Sequence, residues 1–403
     1  MRRDYIFSLF TQFIVLFSFL FSYKLISYFY GISIFEQYSI IKRLNTFIIA
    51  FVSFSLPIAL IRNVAYYHGD EKFLIAGYLW TIFIILVLFA LFIFDINQIA
   101  FFLNRFGVNK QYCFNIVILI AGILLHNVIY SYLRGKLEYK LANIYDIFSK
   151  AGAPFIAIVF ANNLNMFLFI HGTYQIILSL FVFCFLVNFK FKIKLDILNK
   201  LKILLFYGVK RIFSDLGLNL IFIYPLYFIN NKHKGLVSFY LTLIVVIGYL
   251  YTPLNNILLS RLSRYLSNND LNVFIKILKK IYFILISSLL VLIFIIYFNK
   301  QYLIQFFISK IDEYNLYIFN YYIFAAFFYV IFLINKNIID SLTQKAINAK
   351  IIILLLFVFI LLSYFFKNQT LYISILFILL IIMLAITTGM FVYILTRDKI
   401  GKN

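Results

Sequence analysis

Residues 200–229 read KLKILLFYGVKRIFSDLGLNLIFIYPLYFI, and this stretch decides the fold. It follows lysines at Lys190, Lys192 and Lys194 and adds Lys200 and Lys202. An apolar segment then begins near Ile203, opens with Tyr207-Gly208, and carries Lys210, Arg211 and Asp215 before turning fully apolar. The stretch lies at the middle of a 403-residue chain, with a similar number of hydrophobic runs on either side. A basic connector at the midpoint predicts two halves joined there. Charges just inside a spanning helix predict a water-filled route rather than an anchor.

The rest of the composition agrees. The chain is 65% hydrophobic and 12% charged, whereas a soluble domain is about a quarter charged. A bilayer span needs about 20 apolar residues. The expected spans are 5–28, 37–61, 73–94, 112–133, 141–162, 166–188, 203–229, 236–259, 273–297, 314–334, 350–366 and 370–396. This leaves short connectors and no room for a soluble catalytic domain. The predicted fold is therefore all-α and integral to the membrane, with about twelve transmembrane helices in two pseudo-symmetric six-helix bundles. The N-terminal lobe is placed at 1–188, a basic linker at 189–202, and the C-terminal lobe at 203–403. The opening run after Arg2-Arg3 is too long for a signal peptide and lacks a small-residue cleavage site, so it is read as a retained first helix.

The net charge of +22 fits lysines and arginines holding cytosolic loops in place better than it fits nucleic-acid binding. With the N terminus inside, the basic connectors fall inside: Arg62 and Lys72; Arg134, Lys136 and Lys140; the lysine run at 190–202; Arg261, Arg264, Lys276, Lys279 and Lys280; and Lys336, Lys345 and Lys350. The opposite connectors are poorer in charge. The C terminus then also lies inside. Cys113 and Cys184 read as small hydrophobes, with no disulfide framework. The four histidines show no metal-ligand spacing, and no Walker loop or HExxH pair occurs. No cofactor is expected, and the chain is not read as an enzyme.

Spans two and eight echo each other. Each holds one interior proline (Pro57, Pro253), then arginine, then a polar turn ending in Asp70 or Asp270. Internal repeats are common in transporters, with the substrate route between the halves. The prolines are candidate kinks, or simply tolerated ones.

The order of several short motifs resembles a known family. Gly31 with Glu36-Gln37-Tyr38 is similar to its entry to span two. Arg134-Gly135 with Lys140-Leu141-Ala142 is similar to its link after span four. Leu205-Phe206-Tyr207-Gly208 with Ser214 is similar to its start of span seven, and Asn337–Asp340 with Lys345 and Asn348 to its link after span ten. Together these resemble the polysaccharide-transporter branch of the multidrug/oligosaccharidyl-lipid/polysaccharide (MOP) exporter superfamily. Its Wzx-type flippases serve O-antigen or capsule repeat units. Lys210 departs from the pattern, standing where the family often has proline. The resemblance implies a multi-pass protein of the bacterial inner membrane. It would move undecaprenyl-diphosphate-linked oligosaccharide from the cytosolic to the outer leaflet by alternating access. The polymerase and chain-length regulator of the same pathway are implied partners. A cation-coupled multidrug antiporter of the same superfamily is the alternative, and a membrane polysaccharide polymerase a more distant one.

Ionised groups in hydrocarbon are costly and face a cavity or a partner. The candidate substrate-binding residues are Lys24, Lys42, Arg43, Lys210 and Arg211, on helices that line the central cleft in the resembling family. Arginine binds a diphosphate bidentately and lysine binds it as a point charge. The competing reading is snorkelling to the nearest interface. The candidate ion-coupling residues are Asp215, Asp146 and Glu36. Arg211, Asp215 and Asn219 share one face by four-residue spacing, as do Asp146 and Lys150. These carboxylates either bind a coupling proton or sodium ion or form ion pairs that lock helices together. His126, Asn127, His171 and Gln175 either face sugar hydroxyls or bond helix to helix.

Overall fold

A computed structural model describes residues 2–95, 109–187, 195–209, 211–229, 231–267, 271–307, 313–343 and 345–400. Among these residues every regular element is helical. The chain divides into two compact units, Met1–Ile212 and Phe213–Asn403.

In the first unit α1 is Arg2–Tyr30, α2 Ile32–Val52, α3 Leu56–Tyr66 and α4 Lys72–Phe94. A short 3-10 turn at Lys110–Tyr112 leads into α5, Cys113–Gly135. Then come α6 (Tyr139–Asp146), a π-helical turn (Ile147–Gly152), α7 (Ala153–Phe160), α8 (Leu164–Leu186) and α9 (Leu195–Val209). The second unit holds α10 (Ile212–Ile223, beginning at the boundary), α11 (Pro225–Phe228), α12 (Asn231–Ser267) and α13 (Leu271–Phe298). It continues with α14 (Lys300–Phe307), α15 (Glu313–Leu342), α16 (Ile347–Phe365) and α17 (Thr370–Ile400). Among the described residues eight helices are long and apolar enough to cross a membrane, and α2 with α3 forms one further, broken crossing.

The two units repeat one packing scheme. In the first, α5 packs on α3 and on α8; in the second, α15 packs on α12 and on α17. Spans two, four and six thus pair as spans eight, ten and twelve do. The α5–α8 crossing is close because glycines face it from both sides. A Cβ on Gly122 would lie 2.7 Å from the Gly172 carbonyl oxygen, and one on Gly172 would lie 2.7 Å from the Leu119 nitrogen. With no hydrophobic drive between helices in lipid, such close backbone approach is what holds membrane helices together.

Span two bends by 52° between α2 and α3. Phe54 and Ser55 take left-handed backbone angles (φ 49° and 53°), and Pro57 follows in the first turn of α3. Proline is well placed there because a first-turn N–H has no helical partner to lose. Pro253 behaves differently: α12 runs unbroken past it. The expected echo of paired prolines therefore gives a bend in one unit and a continuous helix in the other.

Helix α9 bears on the expected lobe boundary. Residues 195–202 fell in the expected linker and 203–209 in the second lobe, whereas α9 packs on α3 and α4 of the first unit. Its apolar side buries Ile197, Leu204 and Tyr207. Its polar side is tied by charge. Lys200 lies 3.0 Å from Asp70 and over the rings of Tyr67 and Phe73, while Asp196 lies 2.9 Å from Lys72. At its end Gly208 meets the bend in span two, where an added Cβ would stand 2.1 Å from the Phe54 carbonyl oxygen. The lysines at 190–194 lie outside the described residues. Cys113 is buried and Cys184 exposed, and both are free.

Candidate substrate and ion-coupling sites

The first polar centre is built on span five. Asp146 ends α6 and is fully buried. Its carboxylate accepts a hydrogen bond from Gln12 Nε2 at 3.0 Å, and Lys150 Nζ lies at 2.9 Å and His126 Nε2 at 3.2 Å. A buried carboxylate needs such company, because an uncompensated charge in the interior is destabilising. The π turn follows at once and lends its carbonyls to neighbours: Ser149 O accepts from Gln175 Nε2, and Ala151 O from Ser18 Oγ. Turns of this kind recur at functional sites. The expected Asp146–Lys150 pair is present, and it belongs to a four-residue cluster spanning α1, α5 and span five. His126 and Gln175 take the helix-to-helix role.

Arg134 is a second finding of this unit. It is fully buried at the end of α5, donating to Ser8 Oγ at 3.1 Å and to Asn143 Oδ1, with Tyr130 and Tyr139 rings beside the guanidinium. Asn143 donates in turn to Ser8 Oγ. Arg62 is 8% exposed and lies over Tyr207 at 4.9 Å and Tyr66 at 5.9 Å. Both residues were expected in solvated connectors, and both are buried. Charge count alone does not separate an arginine that sets orientation from one that stacks on rings.

The predicted cationic residues separate into distinct places. Arg211 is 1% exposed, with its guanidinium carbon 3.8 Å from the Tyr207 ring centroid. Tyr207 thus carries two buried guanidiniums, Arg62 and Arg211, beside the bend in span two. Lys42 is half-buried on α2, 5.6 Å from the Phe19 ring and 5.7 Å from that of Tyr38. Arg43 and Lys24 are half-buried on α2 and α1. Lys210 and the side chain of Glu36 lie outside the described residues.

In the second unit Asp215 of α10 meets Lys336 of α15 at 2.8 Å. Asn219, four residues on, donates to the Asp215 backbone carbonyl rather than to its carboxylate. Lys336 was placed in a connector, but α15 runs on to Leu342, past the expected end at 334. Near it Asn348 donates to the Lys336 carbonyl and to Asp340 Oδ1, joining α16 to α15. This bond mirrors Arg134 with Asn143 in the first unit: in each, an asparagine of the following helix meets a charged residue at the end of the fourth span. Among the described residues no cluster of His, Cys, Asp and Glu could hold a metal.

Neither a protein-family model nor a curated protein sequence matches the chain. Solved structures do. An outward-facing multidrug resistance MATE family transporter of the MOP superfamily is 10% identical, with a TM-score of 0.77 over 98% of this chain and 96% of that one. The eukaryotic MATE transporter AtDTX14 is 12% identical, with a TM-score of 0.72 over 99% and 98%. The Vibrio cholerae MATE transporter VcmN, in its bent form, is 12% identical, with a TM-score of 0.74 over 98% and 97%. At these identities the likeness is one of fold. The chain has the fold of MATE transporters: all-α, multi-pass in a membrane, with its helices in two bundles.

Proposed function

We propose that the chain is a flippase moving an undecaprenyl-diphosphate-linked oligosaccharide across a bacterial inner membrane by alternating access. The observation that carries this reading is the sign of the charge left without a counter-ion inside the helices. Each candidate coupling carboxylate with a described side chain has a lysine of the protein beside it: Asp146 has Lys150 and Asp215 has Lys336. Lys42 and Arg62, by contrast, contact aromatic rings and form no ion pair among the described residues. An excess of buried positive charge suits an anionic head group. It suits a cationic drug poorly, since such a cargo needs a carboxylate the protein has not already neutralised.

Arg43 and Arg211 are the residues assigned to the diphosphate, with Lys42, Lys24 and Lys210. Coupling to an ion gradient is assigned to Asp146 and Asp215, where a proton or sodium ion would take the place of the lysine. The second reading, a cation-coupled multidrug antiporter, is favoured by the fold shared with multidrug transporters.

The test is delivery of lipid-linked saccharide in reconstituted vesicles at equal protein levels. Arg43→Ala and Arg211→Ala are expected to cut it by about tenfold, the effect of losing roughly 1.4 kcal/mol of head-group binding. The connector change Lys234→Ala is expected to leave it intact. Normal delivery by both arginine variants overturns the reading, and extrusion of cationic drugs with no saccharide movement replaces it with the second.

A further inference from the structure

Helix α9 shows apolar side chains on two sides. One side packs: Ile197, Leu204 and Tyr207 are buried, and beside them Asp196 and Lys200 hold Lys72 and Asp70. The other side faces out. Leu198, Phe206 and Val209 are 57%, 62% and 50% exposed, and Lys202 is exposed among them. An open groove of about 520 Å³ runs along this side, lined by Leu198, Leu201, Lys202, Leu205, Phe206 and Val209. Steps of three and four residues place all six on one stripe of the helix.

Two features set this stripe apart from an ordinary lipid-facing surface. Helix α13 shows the ordinary kind: Phe283, Val291 and Phe294 stand out from it, and no charged residue occurs between Lys280 and Lys300. The α9 stripe instead has an ammonium at its centre. Leu198, Lys202 and Phe206 form a row at four-residue spacing, and Lys202 makes no ion pair or hydrogen bond among the described residues. The second feature is length. The 15 residues of α9 extend about 22 Å, less than the roughly 30 Å of hydrocarbon that a crossing must cover. A short helix with lysine on an apolar side suits the boundary between head groups and acyl chains. The sequence that enters it agrees, since residues 190–202 hold five lysines and one acid.

We propose that the outward side of α9 seats an anionic phospholipid, with its phosphate on Lys202 and an acyl chain in the groove along Leu198, Leu201, Leu205, Phe206 and Val209. An ammonium binds a phosphate as a point charge, and the long lysine stem bridges from apolar surface to a head group. A phospholipid brings the phosphate and the chain in one molecule. The lysine-rich side of a membrane protein is the cytosolic one, where anionic lipids collect. A second copy of this chain is the poorer occupant: at a net charge of +22 it repels Lys202 rather than pairing it. Such a lipid is a resident of the protein and not a cargo, so its binding is independent of the flippase reading.

The experiment is fluorescence quenching of the full chain in phosphatidylcholine vesicles that contain a small fraction of brominated lipid. Trp80→Phe removes the one tryptophan of the chain. In that background Phe206→Trp reports from the groove, and Val291→Trp on α13 reports ordinary lipid contact. Brominated phosphatidylglycerol is expected to quench the reporter at 206 about fivefold more effectively than brominated phosphatidylcholine at the same fraction, an effect of about 1 kcal/mol for one lysine near a charged surface. The reporter at 291 is expected to show no such preference. Lys202→Gln is expected to remove the preference at 206 while leaving quenching by phosphatidylcholine in place, and Lys279→Gln on α13 to leave the preference intact. Should Phe206→Trp fail to fold, as judged by its melting midpoint, Leu198→Trp reports from the same groove. Equal quenching by the two lipids at 206, the same preference at 291, or a preference that survives Lys202→Gln overturns the proposal. Absence of quenching by either lipid also overturns it, since a protein surface then covers the groove.

Discussion

Replacing Gly208 by alanine adds one methyl group where α9 meets the bend in span two. That carbon would stand 2.1 Å from the Phe54 carbonyl oxygen and 3.3 Å from the Phe54 carbonyl carbon. Real Cβ contacts essentially never fall under 3.0 Å, so the two backbones must separate by at least 0.9 Å, the difference between these distances. Nothing flexible can absorb this, because the obstructing atoms belong to main chain on both sides. Overpacking of this kind costs about 1–3 kcal/mol. The shift would fall on the residues beside it: Tyr207, which carries the two guanidiniums, and Arg211, whose N–H bonds the Gly208 carbonyl at 2.8 Å. The assay is the melting midpoint in detergent at one fixed scan rate, with vesicle transport measured alongside. Gly389→Ala is the control, since its nearest atom would be Asn335 Nδ2 at 3.4 Å, an ordinary contact. Gly208→Ala is expected to melt clearly below both wild type and control and to transport poorly. If it melts and transports as the wild type does, the close approach of α9 to the bend is not what holds this junction, and the steric argument fails.

Asp146→Asn is expected to destabilise the first unit, because the buried cluster of Gln12, His126 and Lys150 loses its shared counter-charge. Its melting curve checks this, and Lys150→Met on the same background should recover part of the loss. Asp215→Asn is expected to reduce gradient-driven transport; unchanged ion dependence in reconstituted vesicles removes Asp215 as a coupling site. A double variant, Asp215→Leu with Lys336→Met, is expected to melt nearer the wild type than either single change, since a buried pair is harder to break than to replace with apolar groups.

The long spans were legible because apolar runs of bilayer length leave few alternatives. Helices α4, α5, α8, α13 and α17 lie close to the ranges read from hydropathy. The breaks were only half legible. Pro57 marked the bend in span two, but the same residue type at Pro253 marked none, because the backbone angles at Phe54 and Ser55 make the turn and leave no apolar-pattern signature. Helix α9 was hidden because its lysines suited a solvated linker while its apolar face suited the next span. Of the candidate sites, Asp146–Lys150 followed from helical spacing. Lys336 did not, because a contact between spans seven and ten has no trace in local sequence. Arg62 and Arg134 were taken as connector charges, and only the surrounding tyrosines, too common in this chain to be diagnostic, distinguish them.

The wider turn at Ile147–Gly152 has a consequence for the winding of span five. Each residue of an α-helix advances the azimuth by about 100°. A chain that takes up an additional residue without gaining a regular step therefore presents its two ends out of phase with an unbroken coil. Winding these same residues as regular α-helix, with none removed, would swing Ala153–Phe160 by roughly that angle relative to Tyr139–Asp146. Pro154 and Ala157, now turned inward, would lose their seats. The wide winding of this turn thus sets which side of span five faces inward.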